Sequence, residues 1–156
     1  MANFFSKIVI SLTFVFWVIN SSATTLEEQF EGLLHCDQMG KLKGIYFDQY
    51  SQEVNLSRTP YFIERKLRPC ELDSLATYCI DDTYYGLAVE KVSIPHNMSI
   101  YAIYFKDDVE TVKKQLSNYM EIINFDPNVK SPKYPSLIPN QNDHKKSILF
   151  CDFYDE

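Results

Sequence analysis

Residues 84–110, YYGLAVEKVSIPHNMSIYAIYFKDDVE, decide the fold class. Tyr84 to Ile94 reads as an extended run whose apolar parity switches near Glu90 and Lys91, which indicates a bulge or a strong twist. Pro95-His96-Asn97-Met98 is a turn cluster. Ser99 to Lys106 follows with Ile100, Ala102 and Tyr104 on one face and Tyr101, Ile103 and Phe105 on the other. Apolar residues on both faces predict a strand packed on both sides or pressed hard against one. Asp107-Asp108-Val109-Glu110 then opens a helix, with a carboxylate cap and acids at the positive end of the dipole. Val109, Val112, Leu116, Tyr119 and Ile123 form its apolar stripe, with Lys113, Lys114 and Asn118 outside. Strand, turn, strand and helix in succession predict an α+β domain: a mostly antiparallel sheet with one or two helices on one face.

Outward from this unit the signals are shorter. Toward the N-terminus, Thr25-Leu26-Glu27-Glu28 matches a capping box and predicts a helical turn before Phe30. Phe30 to Cys36 fits a helix or a strand equally, because so short an apolar run does not choose. Residues 41–50 favour a short helix, against which Gly44 counts. Toward the C-terminus, Pro127, Pro132, Pro135 and Pro139 interrupt residues 124–146, the most basic part of the chain. A Pro-rich loop is expected there, and Ser147 to Phe153 should close the domain as a strand.

The chain has 156 residues, 46% hydrophobic and 23% charged, with a formal net charge of -6. That length supports one domain. The composition is too apolar for disorder, too poor in glycine and proline for a fibre, and too acidic to bind phosphate backbones by bulk charge. Nucleic acid is therefore not an expected partner.

Residues 1–23 have the pattern of a secretory signal: Lys7 as the only charge, an apolar run from Ile8 to Ile19, then Asn20-Ser21-Ser22-Ala23 with small residues before a cut after Ala23. The run rises only about 18 Å against a hydrocarbon core of about 30 Å, so no stable membrane anchor is expected. Residues 24–156 then form a single domain, secreted or periplasmic. Losing Lys7 leaves the remainder more acidic still.

Four cysteines agree with export, since an even set in an oxidising compartment forms disulfides by default. Of three possible connectivities the expected one is Cys70–Cys79, closing a short loop, with Cys36–Cys151 tying the two ends. The spacings C-x8-C and C-x33-C match no zinc knuckle.

Little in the chain carries catalysis. The histidines His35, His96 and His144 show no H-x-x-H or H-E-x-x-H spacing, and His35 in an apolar run reads as a core histidine. No serine occupies a G-x-S-x-G elbow and no glycine loop is built for phosphate. Asp107-Asp108 is explained by capping. Asp81-Asp82, adjacent in an extended segment, point to opposite faces. No cofactor or metal is called for.

A binding surface has more to work with. Gly86, between aromatics and a strand, marks a bulge or a close backbone approach against which a ligand could press. Tyr78, Tyr84, Tyr85, Tyr101 and Tyr104 all fall in the sheet region, and any that are exposed would favour an interface. Tyr84, Tyr85, Gly86, Asp81 and Asp82 are therefore the candidate binding residues. Asn55-Leu56-Ser57 and Asn97-Met98-Ser99 fit the glycosylation acceptor pattern.

The expected function is an exported, non-enzymatic protein of the inhibitor or immunity type that engages another exported macromolecule, itself basic. The alternative is a small enzyme or ligand carrier whose site assembles from His35, Asp37, Asp81, Asp82 and Tyr84.

Overall fold

The computed structural model describes residues 23–36, 42, 45–48, 53–54, 59–119 and 134–152, with the backbone alone at 53–54. Its centre is the quoted segment. Strand β4 (Leu75–Tyr84) turns at Tyr85-Gly86 into β5 (Leu87–Pro95), and β6 (Ile100–Phe105) follows beyond the Pro95 turn. The expected run from Tyr84 to Ile94 is thus two strands that meet at a hairpin. Gly86 belongs to that turn rather than to a bulge within a strand.

The expected bulge falls on Glu90. Against β6 the register passes from Val89↔Phe105 to Lys91↔Tyr104, so Glu90 has no partner there. Against β4 it passes from Asp82↔Val89 to Cys79↔Lys91, leaving Ile80 and Asp81 opposite the same residue. Val89 below the bulge and Val92 above it are both fully buried. Inserting one residue keeps each half of the strand's apolar set on the core side.

Three further strands complete the sheet, one beside β4 and two beyond β6. The order is β3-β4-β5-β6-β8-β7, where β3 is Glu71–Leu72, β7 is Ser136–Asn140 and β8 is Asp143–Asp152; all neighbours are antiparallel. Residues 136–140 and 143–146 are therefore strand, where a continuous loop over 124–146 was expected; residues 124–133 lie outside the described residues. Pro139 is compatible with β7 because that strand is an edge, where a missing donor breaks no ladder. The closing strand starts at Asp143 instead of Ser147. Within 41–50, where a short helix was expected, Leu42 lies in a 3-10 turn and Phe47–Asp48 (β1) pairs as a separate strand with Glu53–Val54 (β2); residues 41, 43, 44, 49 and 50 lie outside the described residues.

The helices supply the rest of the core. Helix α1 (Leu26–Gln29) has the capping box, with the Thr25 hydroxyl accepting from the Glu28 N–H and the Glu28 carboxylate from the Thr25 N–H. A 3-10 turn at Glu31–Leu34 settles the ambiguous apolar run, and α2 (Pro60–Glu64) places proline at its first turn, where no donor is lost. Helix α3 (Val109–Leu116) is capped by Asp108, whose carboxylate accepts from the Thr111 N–H at 2.8 Å. Leu26, Phe30, Leu33, Phe62, Val112 and Leu116 from these elements join Tyr78, Val92, Ile103 and Leu149 from the sheet in one buried cluster.

Both disulfides are formed as expected, Cys36–Cys151 and Cys70–Cys79. The first lies in the core and the second on the surface. Formed disulfides indicate an oxidising environment, extracellular or periplasmic. Among the described residues no helix is long and apolar enough to cross a membrane.

Candidate functional site

The β4–β5 turn is built around an awkward residue. Tyr84 pairs with Leu87, so Tyr85 and Gly86 form a two-residue loop, and both have positive φ, 49° and 79°. This is the primed turn that matches the twist of a hairpin, usually made by Asn-Gly. Glycine adopts it without cost. For a bulky L-residue the left-handed region costs about 1–2 kcal/mol. A Cβ added at Gly86 would meet only Gln115 Nε2, at an ordinary 3.7 Å, so its φ rather than its space requires glycine.

Neighbouring elements hold Tyr85 in that conformation. Glu27 of α1 accepts from its backbone N–H at 2.6 Å, and Gln115 of α3 donates to its carbonyl at 2.9 Å. Its ring meets Tyr84 edge-on, with centroids 4.8 Å apart, and lies 4.3 Å from the ring of Tyr119 just beyond α3. Tyr84 is buried, Tyr85 half-buried, and Tyr119 is 51% exposed, so the three rings step from core to solvent. Strained residues persist only where the surroundings over-determine them, and they cluster at functional sites.

The electrostatics join this turn to a second feature. Burial raises the Tyr85 phenol above its usual value, and the carboxylates of Glu27 and Glu31 add to the effect. Glu27 also raises Tyr61 and Tyr84 in the same sense, after the larger contribution of burial. Glu27 is therefore close enough to influence both the turn and α2.

Beside α2 is an open groove of about 490 Å³, lined by Tyr61, Arg65, Leu67, Ile80, Asp81 and Asp82. The Tyr61 hydroxyl donates to Asp82 Oδ2 at 2.7 Å, and the Arg65 guanidinium lies 3.9 Å from the centre of the Tyr61 ring. Arg65 also approaches Asp82, at 3.9 Å. Lys106 donates to Asp81 at 2.7 Å and holds that carboxyl below its usual range. The groove thus has an apolar floor and a mixed-charge rim.

No family model, curated protein or solved structure matches the chain.

The candidate residues separate into two places. Tyr85 and Gly86 form the turn, while Asp81 and Asp82 line the groove, each with a basic neighbour. Tyr84 is a correction: it is fully buried, its hydroxyl directed to the Phe30 carbonyl at 3.4 Å, and it supports the turn from beneath. His35 is exposed rather than in the core, because the 3-10 turn ends there. His96 binds the Asp73 carbonyl through Nδ1 at 2.6 Å, and His144 is exposed on β8. Among the described residues no three of His, Cys, Asp and Glu gather to hold a metal ion. Asn97 is exposed at its turn; Asp37 and Asn55 lie outside the described residues.

Glu27, Tyr61, Arg65, Gln115 and Tyr119 were not among the expected site residues. Tyr61 and Arg65 had a usable signal in Thr59-Pro60, a helix start that would have placed them one turn apart. Tyr119 fell on the apolar stripe of α3, and its exposure follows from the helix ending at Leu116. For Glu27 and Gln115 no local signal exists, since each acts on a residue far away in sequence.

Proposed function

We propose that this is an exported, non-enzymatic protein that binds another macromolecule through the face carrying Tyr85, Tyr119, Glu27 and Glu31. The observation that carries the reading is Tyr85: a strained aromatic residue, clamped by Glu27 and Gln115, underlies an exposed tyrosine. Tyrosine gives contact area at low entropic cost, and the nearby carboxylates favour a basic partner. Export after cleavage near Ala23 is part of the same reading, supported by the charged-apolar-small pattern of residues 1–23 and by the disulfides. An inhibitor or immunity-type role toward a basic exported toxin or hydrolase is its most concrete form.

The test is affinity capture from the exported fraction with wild-type protein, Tyr119→Ala and an Ile63→Ala surface control. One partner retained by wild type and by the control, released by salt, and lost at least tenfold with Tyr119→Ala is the expected result. A monomer that captures nothing reproducibly overturns the reading. The groove favours a second reading, a ligand carrier or small enzyme in which Arg65 and Tyr61 orient an anionic or planar ligand. Under that reading Arg65→Ala, and not Tyr119→Ala, abolishes binding.

A further inference from the structure

Glu64, the last residue of α2, reaches the segment that precedes α1. Its Oε2 accepts from the Thr24 backbone N–H at 2.8 Å, and its Oε1 from the Thr24 hydroxyl at 3.1 Å. Ala23 is exposed and Thr24 half-buried, so among the described residues tertiary contact starts at Thr24. Thr25 then caps α1, and the Gln29 side chain accepts from the Tyr61 N–H at 3.1 Å to tie α1 to α2. A carboxylate thus holds, through both oxygens, the residue that a cut after Ala23 would make the first of the chain.

We propose that Glu64 is the receptor for the amino terminus released by cleavage between Ala23 and Thr24, an inference that rests on the export reading above. In that hydrolysis, catalysed by an export-pathway endopeptidase, the oxygen of water bonds to the Ala23 carbonyl carbon and the C–N bond breaks. Ala23 leaves as a carboxylate, and the Thr24 nitrogen takes up protons to become an ammonium. A peptide N–H offers Glu64 one hydrogen and no net charge. The ammonium offers three hydrogens and a full positive charge, so the same geometry becomes a charge-assisted pair.

The surrounding charges are mixed, with the carboxylates nearest the amine. On α1, Glu28 accepts from the neighbouring Thr25 N–H at 2.9 Å, and Glu27 lies in the same first turn. Beside α2 the competing cation is Arg65, whose Nη1 lies 3.8 Å from Glu64 Oε2. The positive end of α1 opposes a cation here, and the carboxylates of Glu64 and Glu28 offset it. Helix α1, which starts just after the Thr24–Glu64 pair, also carries Glu27, the residue that accepts from the Tyr85 N–H.

The sign of the pH dependence follows. An ammonium paired with Glu64 has a folded-state pKa above its unfolded value of about 7.7–8.0. Its contribution is complete below that unfolded value and is lost as pH rises through the folded one.

The experiment expresses the full chain in an exporting host and determines the amino terminus of the product by intact mass and terminal sequencing. Thermal unfolding of wild type and Glu64→Gln is then compared at pH 6 and pH 9.5, and the α-amine of wild type is titrated by NMR. The expected product begins at Thr24, with an amine that titrates above its ordinary value. Glu64→Gln should lower Tm by about 3 °C at pH 6 and by clearly less at pH 9.5. Selective acetylation of the wild-type α-amine should reproduce the pH 6 loss, which keeps the test decisive if the variant fails to fold. A product that begins elsewhere overturns the cut and the proposal with it. A Thr24 start with an unshifted amine, or with an equal loss at both pH values, overturns the Glu64 pairing and leaves the export reading standing.

Discussion

The hydroxyl of Tyr78 is buried with no hydrogen-bond partner among the described residues, on a ring that meets Phe62 edge-on with centroids 4.7 Å apart. Other core tyrosines do better. Tyr61 reaches Asp82, and the Tyr101 hydroxyl lies 2.7 Å from the Ile45 carbonyl. An orphaned buried hydroxyl costs about 1–3 kcal/mol, so Tyr78→Phe should stabilise the protein by about 1 kcal/mol. A denaturant midpoint that rises with unchanged slope is the expected measurement; a fall would mean that the hydroxyl has a partner. That tyrosines would fill the sheet region was readable from their positions. Which hydroxyls find acceptors was not, because those acceptors lie 21 and 56 residues away in sequence.

At the scale of the element, the two left-handed non-glycine residues among the described residues sit at ends. Lys66 (φ 51°) closes α2, where the Lys66 N–H donates to Ile63 and the Leu67 N–H to Phe62 in the paired pattern usually completed by glycine. Lys66→Gly should therefore raise stability by about 1 kcal/mol, read as a shift in denaturant midpoint. Tyr85 has the same backbone liability at the β4–β5 turn, with a different expected outcome. Tyr85→Asn should leave hairpin stability equal or higher, since Asn-Gly suits this turn, and should remove binding by the tyrosine face. Loss of stability together with binding would instead assign Tyr85 a packing role.

The same scale explains what the sequence disclosed. The β5 bulge, β6 and α3 were legible because period and parity run long enough to be seen and Asp108 caps visibly. Strand β4 offers no such alternation. Ala76, Thr77 and Tyr78 are buried in succession, and the Ile80–Asp81 bulge then shifts the phase. In β7 the prolines read as interruptions, because whether a strand lies at an edge is a property of the sheet and not of its own residues.

For the molecule as a whole, the two disulfides add to the stability that the buried apolar core supplies. The Cys36–Cys151 link closes 115 residues and the Cys70–Cys79 link 9, so loop entropy assigns them about 5 and about 3 kcal/mol. Replacing Cys36 and Cys151 by serine should cost more than replacing the other pair. Cys36 and Cys151 are 2% and 1% exposed, whereas Cys70 and Cys79 are exposed, so mild reductant with alkylation should label the surface pair first.

Burial raises the phenols of Tyr61, Tyr78, Tyr84 and Tyr101 above the ordinary 10.0. Below pH 10 folded and unfolded chains bind these protons alike. Above it the unfolded chain releases protons that the folded chain keeps, so stability falls as pH rises. Ultraviolet titration should show these phenols ionising only as the fold is lost. A fully reversible, single-step titration with the circular dichroism unchanged would contradict that.

The expectation of two disulfides followed from cysteine count and compartment alone. The Tyr85 clamp did not, because it depends on α1 and α3 meeting at one turn.

The Cys36–Cys151 link has a topological consequence. With their Cα atoms 5.6 Å apart, these residues make everything between them a covalent ring. A single peptide-bond break anywhere inside that ring leaves one molecule, heavier by one water, whose two fragments separate only on reduction. A cut at the exposed Asn97 turn should therefore run as one species without reductant and as two with it.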